Sequence, residues 1–100
     1  MNKNQQNLYN VILQLKNLDE ADRFFRDLLT AQEIKEFSKR WQVAKMLSEK
    51  ISYSEIEKRT KLSSTTVARI SKWLISGCGG YRLMIKRTHH NSTSLKRKLS

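Results

Sequence analysis

Apolar positions recur along this chain at spacings of three and four, so helices are predicted almost throughout. Leu8, Val11, Ile12 and Leu15 give a short first helix. Asn17 caps a second, with Asp19, Glu20 and Asp22 in its first turn, where acids complement the helix dipole. Its inward stripe is Ala21, Phe24, Phe25, Leu28 and Leu29. Phe24 and Phe25 are neighbours and cannot easily both face one small core. Either the stripe is wide, or one ring meets a second subunit. Thr30 and Glu33 form a capping box that opens the longest helix, from Ala31 to Glu49. Ile34, Phe37, Trp41, Ala44 and Leu47 mark one face of it, which Val43 and Met46 widen. So wide an apolar face predicts a central helix packed on several sides, with Trp41 in the core or in a dimer interface.

The stretch from Ser52 to Leu74 changes the picture from packing to recognition. Ser52 and Glu55 read as a capping box for a helix starting at Tyr53 that carries Ile56 and Thr60 inward. Lys61 and Leu62 make a turn, and Ser63 offers the next N-cap. In the helix that follows, Val67, Ile70 and Leu74 share one face, while Thr65, Arg69 and Lys72 share the opposite one. A short helix bracing another that is apolar behind and hydroxylic or basic in front is the arrangement of a helix-turn-helix. A helical hairpin in any all-α protein shows the same buried stripe. The outward face, however, lacks the acid–base mixture of a merely solvated helix.

Charge sharpens this reading. The net charge is +11, from 20 Lys and Arg against 9 Asp and Glu. Every acid lies at or before Glu57, where the basic residues balance them, so the whole excess falls on residues 58–100. A one-sided positive field suits a polyanion. Nucleic acid is favoured over membrane lipid, because the second half has no long amphipathic helix with a large apolar face. Gly77, Gly79 and Gly80 break the chain around Cys78, and Tyr81, Leu83, Met84 and Ile85 suggest a last short helix docking back on the body. Residues 88–100 are expected to be a disordered basic tail, in which Lys96, Arg97 and Lys98 add non-specific phosphate attraction. Residues 1–87 form the single domain that 100 residues allow.

Other chemistries find no support. Cys78 is alone, so no disulfide framework or thiolate metal site is expected, and a reducing cytoplasm is implied. His89 and His90 are adjacent and read as solvated tail residues rather than metal ligands. The opening MNKNQQNLYN lacks the apolar core of a signal peptide, and no apolar run approaches a membrane span. There is no phosphate-binding glycine loop, no nucleophile–base set and no carboxylate pair in an evident cleft. The expectation is a non-enzymatic protein without a cofactor.

Several phrases together resemble a known family. NLDEADRFFRDLLT from Asn17, RWQVAKML from Arg40, YSEIEKRT from Tyr53 and TTVARI from Thr65 resemble the Trp repressor superfamily, and within it the Trp-repressor-like YerC/YecD branch. The resemblance covers Leu8 to Arg87. It implies an all-α fold of about six helices and a homodimer whose N-terminal helices interlock. Each subunit would present its helix-turn-helix to successive major grooves of a palindromic operator. It also places Arg40 and Arg69 where two arginines of the Trp repressor sandwich the corepressor indole. Ile70 stands where that repressor has glycine, and Trp73 where a serine meets the ligand. A built-in indole would thus fill the effector pocket framed by Arg40, Arg69, Ile70 and Trp73, and tryptophan is not expected as an effector. Lys61 occupies the turn position where most helix-turn-helices have glycine, a position that commonly requires positive φ.

The reading that results is a dimeric, sequence-specific regulator of transcription bound to double-stranded DNA. Ser64, Thr65, Ala68, Arg69 and Lys72 are assigned to base edges. Ser52, Tyr53, Lys58, Arg59, Lys61, Ser63 and Thr66 are assigned to phosphates. The competing reading is an interaction module that binds RNA or another protein.

Overall fold

The computed structural model describes the backbone of residues 1–99 and the side chains of residues 1–89. Six helices and no strands are found among the described residues: α1 Lys3–Ile12, α2 Leu18–Leu28, α3 Ala31–Ser48, α4 Tyr53–Thr60, α5 Ser64–Ser76 and α6 Gly80–Leu99. The chain divides into two compact units, Met1–Glu36 and Phe37–Ser100. The division falls inside α3.

In the first unit, side-chain caps start every helix. Asn2 accepts from the Gln5 amide at 2.8 Å while Gln5 Oε1 accepts from the Asn2 amide at 2.8 Å. This capping box starts α1 at Lys3, well before the first apolar position at Leu8. Asn17 accepts from the Glu20 amide at 2.9 Å and starts α2. Thr30 and Glu33 form the reciprocal box at the head of α3, with bonds of 2.9 and 3.1 Å. The bond that Glu33 accepts from the Thr30 backbone, followed by that from its side chain, holds the Glu33 carboxyl below its ordinary pKa. Helix formation is thus well specified here, but packing is not. No side chain of residues 1–36 is buried, Leu13 and Leu18 are largely solvent-exposed, and Phe24 and Phe25 are both half-buried.

The core lies entirely in the second unit. Val43, Ala44 and Met46 from α3, Ile56 from α4, and Val67 and Ile70 from α5 are buried together. Leu47, Ile51, Leu62, Tyr81 and Ile85 pack against them. Only the second half of α3 is therefore central. Phe37, expected on its inward face, is 44% exposed. The end of α3 has no glycine, yet it closes as a Schellman motif. The Ile51 amide donates to Met46 O at 3.1 Å, the Lys50 amide to Leu47 O at 3.0 Å, and Lys50 itself sits at φ 61°. Ile51, just past the turn, is the apolar residue that anchors this motif against the core.

The C-terminal end differs from expectation. α6 is not short: it is helical for 20 residues, to Leu99. After Gly80 nothing in the sequence breaks a helix, and Thr88 Oγ1 folds back to donate to Met84 O and Ile85 O at 2.9 and 3.1 Å. The helix therefore does not stop at residue 87. The phosphate attraction given to Lys96, Arg97 and Lys98, and the solvated-tail reading of His90, fall on side chains outside the described residues.

Candidate nucleic-acid interface

The helix-turn-helix is built by two serine caps and one strained turn. Ser52 Oγ accepts from the Glu55 amide at 3.2 Å and starts α4. Only half of the expected capping box forms. The Glu55 carboxylate turns along the helix instead and takes the Arg59 Nε at 2.8 Å. Arg59, assigned to phosphates, is thus already paired with an acid. An exposed pair of this kind is worth little, so a phosphate can compete for it.

At the end of α4, Lys61 adopts φ 62° and ψ 18°, and its amide donates to Glu57 O at 2.8 Å. This is the left-handed position anticipated for the turn. Holding a residue with a Cβ there costs about 1 kcal/mol. Thr60, just before it, is buried with its hydroxyl fully used. It donates to Ile56 O at 2.7 Å and accepts from the Leu62 amide at 3.3 Å. The buried hydroxyl thereby ties the last turn of α4 to the chain entering α5.

Ser63 then caps α5: its Oγ accepts from the Thr66 amide at 3.2 Å and lies 3.1 Å from Thr66 Oγ1. α4 and α5 pack directly on each other. Val67 and Ile70 are completely buried behind α5, and Leu74 is half-buried. On the other side Ser64, Thr65, Ala68, Arg69 and Lys72 are all exposed. The five residues assigned to bases therefore share one solvent-facing surface whose back is locked in the core. Among the residues assigned to phosphates, Ser52, Tyr53, Lys58, Arg59, Lys61 and Ser63 are exposed as well, whereas Thr66 is half-buried against the Ser63 hydroxyl.

The four residues of the expected effector pocket do not share one environment. Ile70 is a core residue with no exposed surface. Arg40 is half-buried, its guanidinium 5.6 Å from the centre of the Phe37 ring. Arg69 is exposed on the front of α5. Trp73, 40% exposed, lines an open apolar depression of about 540 Å³ together with Trp41, Gly77, Cys78, Gly80, Tyr81 and Met84. Trp41 and Tyr81 stack there with ring centres 6.5 Å apart. Neither arginine lines it. The sequence pattern did not anticipate this depression. The available signal was Trp73, an aromatic lying off the Val67–Ile70–Leu74 stripe.

The family model of the Trp repressor protein matches residues 3–89, nearly the whole described chain. The chain belongs to the Trp repressor family. Within that family it is 38% identical over 91 residues to the uncharacterised protein YerC of Bacillus subtilis, covering 91% of this chain and 88% of YerC. A crystal structure of a TrpR-like protein from Eubacterium eligens superposes with a TM-score of 0.85 at 39% identity, covering 88% of this chain and 91% of that one. A candidate Trp repressor from Staphylococcus aureus superposes equally well, with a TM-score of 0.85 at 34% identity over 89% of each chain. The match to the Trp repressor family therefore extends from α1 into α6, as far as residue 89. Among the described residues no helix is long and apolar enough to cross a membrane, and no group of acids, histidines and cysteines could hold a metal ion.

Proposed function

We propose that this member of the Trp repressor family is a sequence-specific DNA-binding transcriptional regulator that works as a homodimer through α4 and α5. The front of α5 carries the proposal. It offers two hydroxyls, one methyl and two cations with no acid among them, while Val67 and Ile70 fix the helix from behind. A helix held in this way can enter a major groove without rearranging. Arg69 suits the O6 and N7 acceptors of guanine, Ala68 a thymine methyl, and Thr65 and Lys72 further acceptors. Ser52, Tyr53, Lys58, Arg59, Lys61, Ser63 and Thr66 would hold phosphates on either side, positioning the helix without reading sequence.

Dimerisation draws support from the first unit, where no side chain of residues 1–36 is buried although α1 and α2 carry apolar stripes from Leu8 to Leu29. A second copy is the partner that the family's interlocked helices supply, and it would set two recognition helices one helical turn of DNA apart. Selection of bound sites from random duplex DNA is the direct test. It should return a palindromic site with half-sites spaced by about one turn of the duplex. Recovery of no preferred sequence, with tight binding to RNA or to a protein instead, would overturn the proposal in favour of an interaction module.

A further inference from the structure

The α6 helix carries charge that the front of α5 does not use. Tyr81 and Ile85, four residues apart, pack against the core, and α6 packs against α5 within one compact unit. One position further on, Arg82 and Lys86 repeat the same spacing. They therefore form a second line about 100° around the helix from the docked one. Both are exposed, as is the neighbouring Arg87. Among the described residues neither Arg82 nor Lys86 takes part in an ion pair. A solvated helix face ordinarily intersperses acids with its cations, and α2 does so with its Asp19–Arg23 and Asp22–Arg26 pairs. No acid follows Glu57 in this chain, so α6 has none to intersperse.

We infer that α6 is a second DNA contact, in which Arg82 and Lys86 bind backbone phosphates that α4 and α5 do not reach. The inference rests on the DNA-binding reading of α5 and extends it to a surface outside the helix-turn-helix. The two residues lie about 6 Å apart along the helix axis. Neighbouring phosphates of one strand are farther apart than their axial rise of about 3.4 Å, because the strand winds around the duplex, so the two cations can engage adjacent phosphates of a single strand. Docking through Tyr81 and Ile85 holds them in place before DNA arrives, which reduces the ordering cost of binding. Bonds to phosphates carry no base information. The α6 face therefore raises affinity for operator and random duplex alike and steepens the salt dependence, leaving the choice of sequence to α5.

The test uses the full chain with two duplexes, one carrying the selected site and one of random sequence. Binding is measured across a series of salt concentrations. Arg82→Gln with Lys86→Gln should weaken binding to both duplexes by the same factor and reduce the salt slope by about 1 for each phosphate no longer neutralised. The conservative pair Arg82→Lys with Lys86→Arg should restore both quantities. Lys35→Gln with Lys45→Gln removes equal charge from the acid-containing half and should leave the slope nearly unchanged. An equal flattening by that control would show that net charge alone matters and would overturn the inference. So would an unchanged slope in the α6 variant while the wild type still selects its site, and that outcome would leave the α5 reading intact. A wild type that binds neither duplex removes both.

Discussion

Thr65 and Lys72 are exposed, and the helix that carries them is held from behind by Val67 and Ile70. Their replacement should therefore test reading without disturbing the fold. Thr65→Ala with Lys72→Ala should lower affinity for a selected operator far more than for random duplex, by about 1–3 kcal/mol for each base-edge bond removed. Competition binding separates the two cases, and equal weakening on both DNAs would mean that this face does not read bases. The effector question also belongs to single residues. Ile70 lies wholly in the core and Trp73 places an indole of its own in the apolar depression. Neither arginine lines that depression. Free tryptophan should accordingly give no binding heat in a calorimetric titration and leave DNA affinity unchanged. A saturating heat signal would show that Arg40 and Arg69 still frame a working site.

Among the elements, helix ends are where sequence and structure agree most closely. Asn17, Thr30, Ser52 and Ser63 each cap the helix that their position predicts, because a cap is a local hydrogen bond needing only neighbouring residues. The Thr30–Glu33 box has a measurable pH signature. Its bonds lower the Glu33 pKa, so the stabilisation is complete above the ordinary carboxylate value near 4.5 and is lost as pH falls through the folded value. Thermal melts between about pH 6 and pH 3 should show a steeper decline for the wild type than for Glu33→Gln, which keeps the cap geometry without the charge. Superimposable pH profiles would remove this role.

The junction of α5 and α6 is equally specific. A Cβ on Gly77 would meet the Trp73 carbonyl oxygen at 2.4 Å, a backbone atom that cannot swing aside. Gly77→Ala should then destabilise the protein by about 1–3 kcal/mol, as overpacking does. Denaturant titration would read this as a lower midpoint with an unchanged slope. No change in the midpoint would mean that the junction has another conformation available.

For the whole molecule, the decisive feature is an uneven distribution of burial. The second unit owns every buried side chain among the described residues, and the first owns none. Exposed apolar helices of this extent are stable when something covers them, and a second copy is the proposed cover. Light scattering of the full chain should therefore report about 24 kDa, twice the 11.8 kDa of one chain, down to low concentration. A mass of one chain throughout would sink the dimer and, with it, the paired geometry on DNA.

The sequence by itself determined the starts of α2 to α5 with their caps, the left-handed turn at Lys61 and the separation of charge, since each depends on residues a few positions apart or on plain composition, but not the start of α1 or the length of α6. It also determined which face of α5 stays in water, because Val67 and Ile70 set the rotation of that helix. The family was legible in phrases spread from Asn17 to Ile70. Only the tertiary structure decided which apolar faces are satisfied within one chain. Phe37 and Val43 look alike in a helical pattern, yet one is half in solvent and the other is sealed in the core, because partners for burial come from distant segments. The depression around Trp41, Trp73 and Tyr81 arises in the same way, from side chains far apart in the chain meeting where α6 folds back on α5. Spacing along one helix contains no term for what arrives from another.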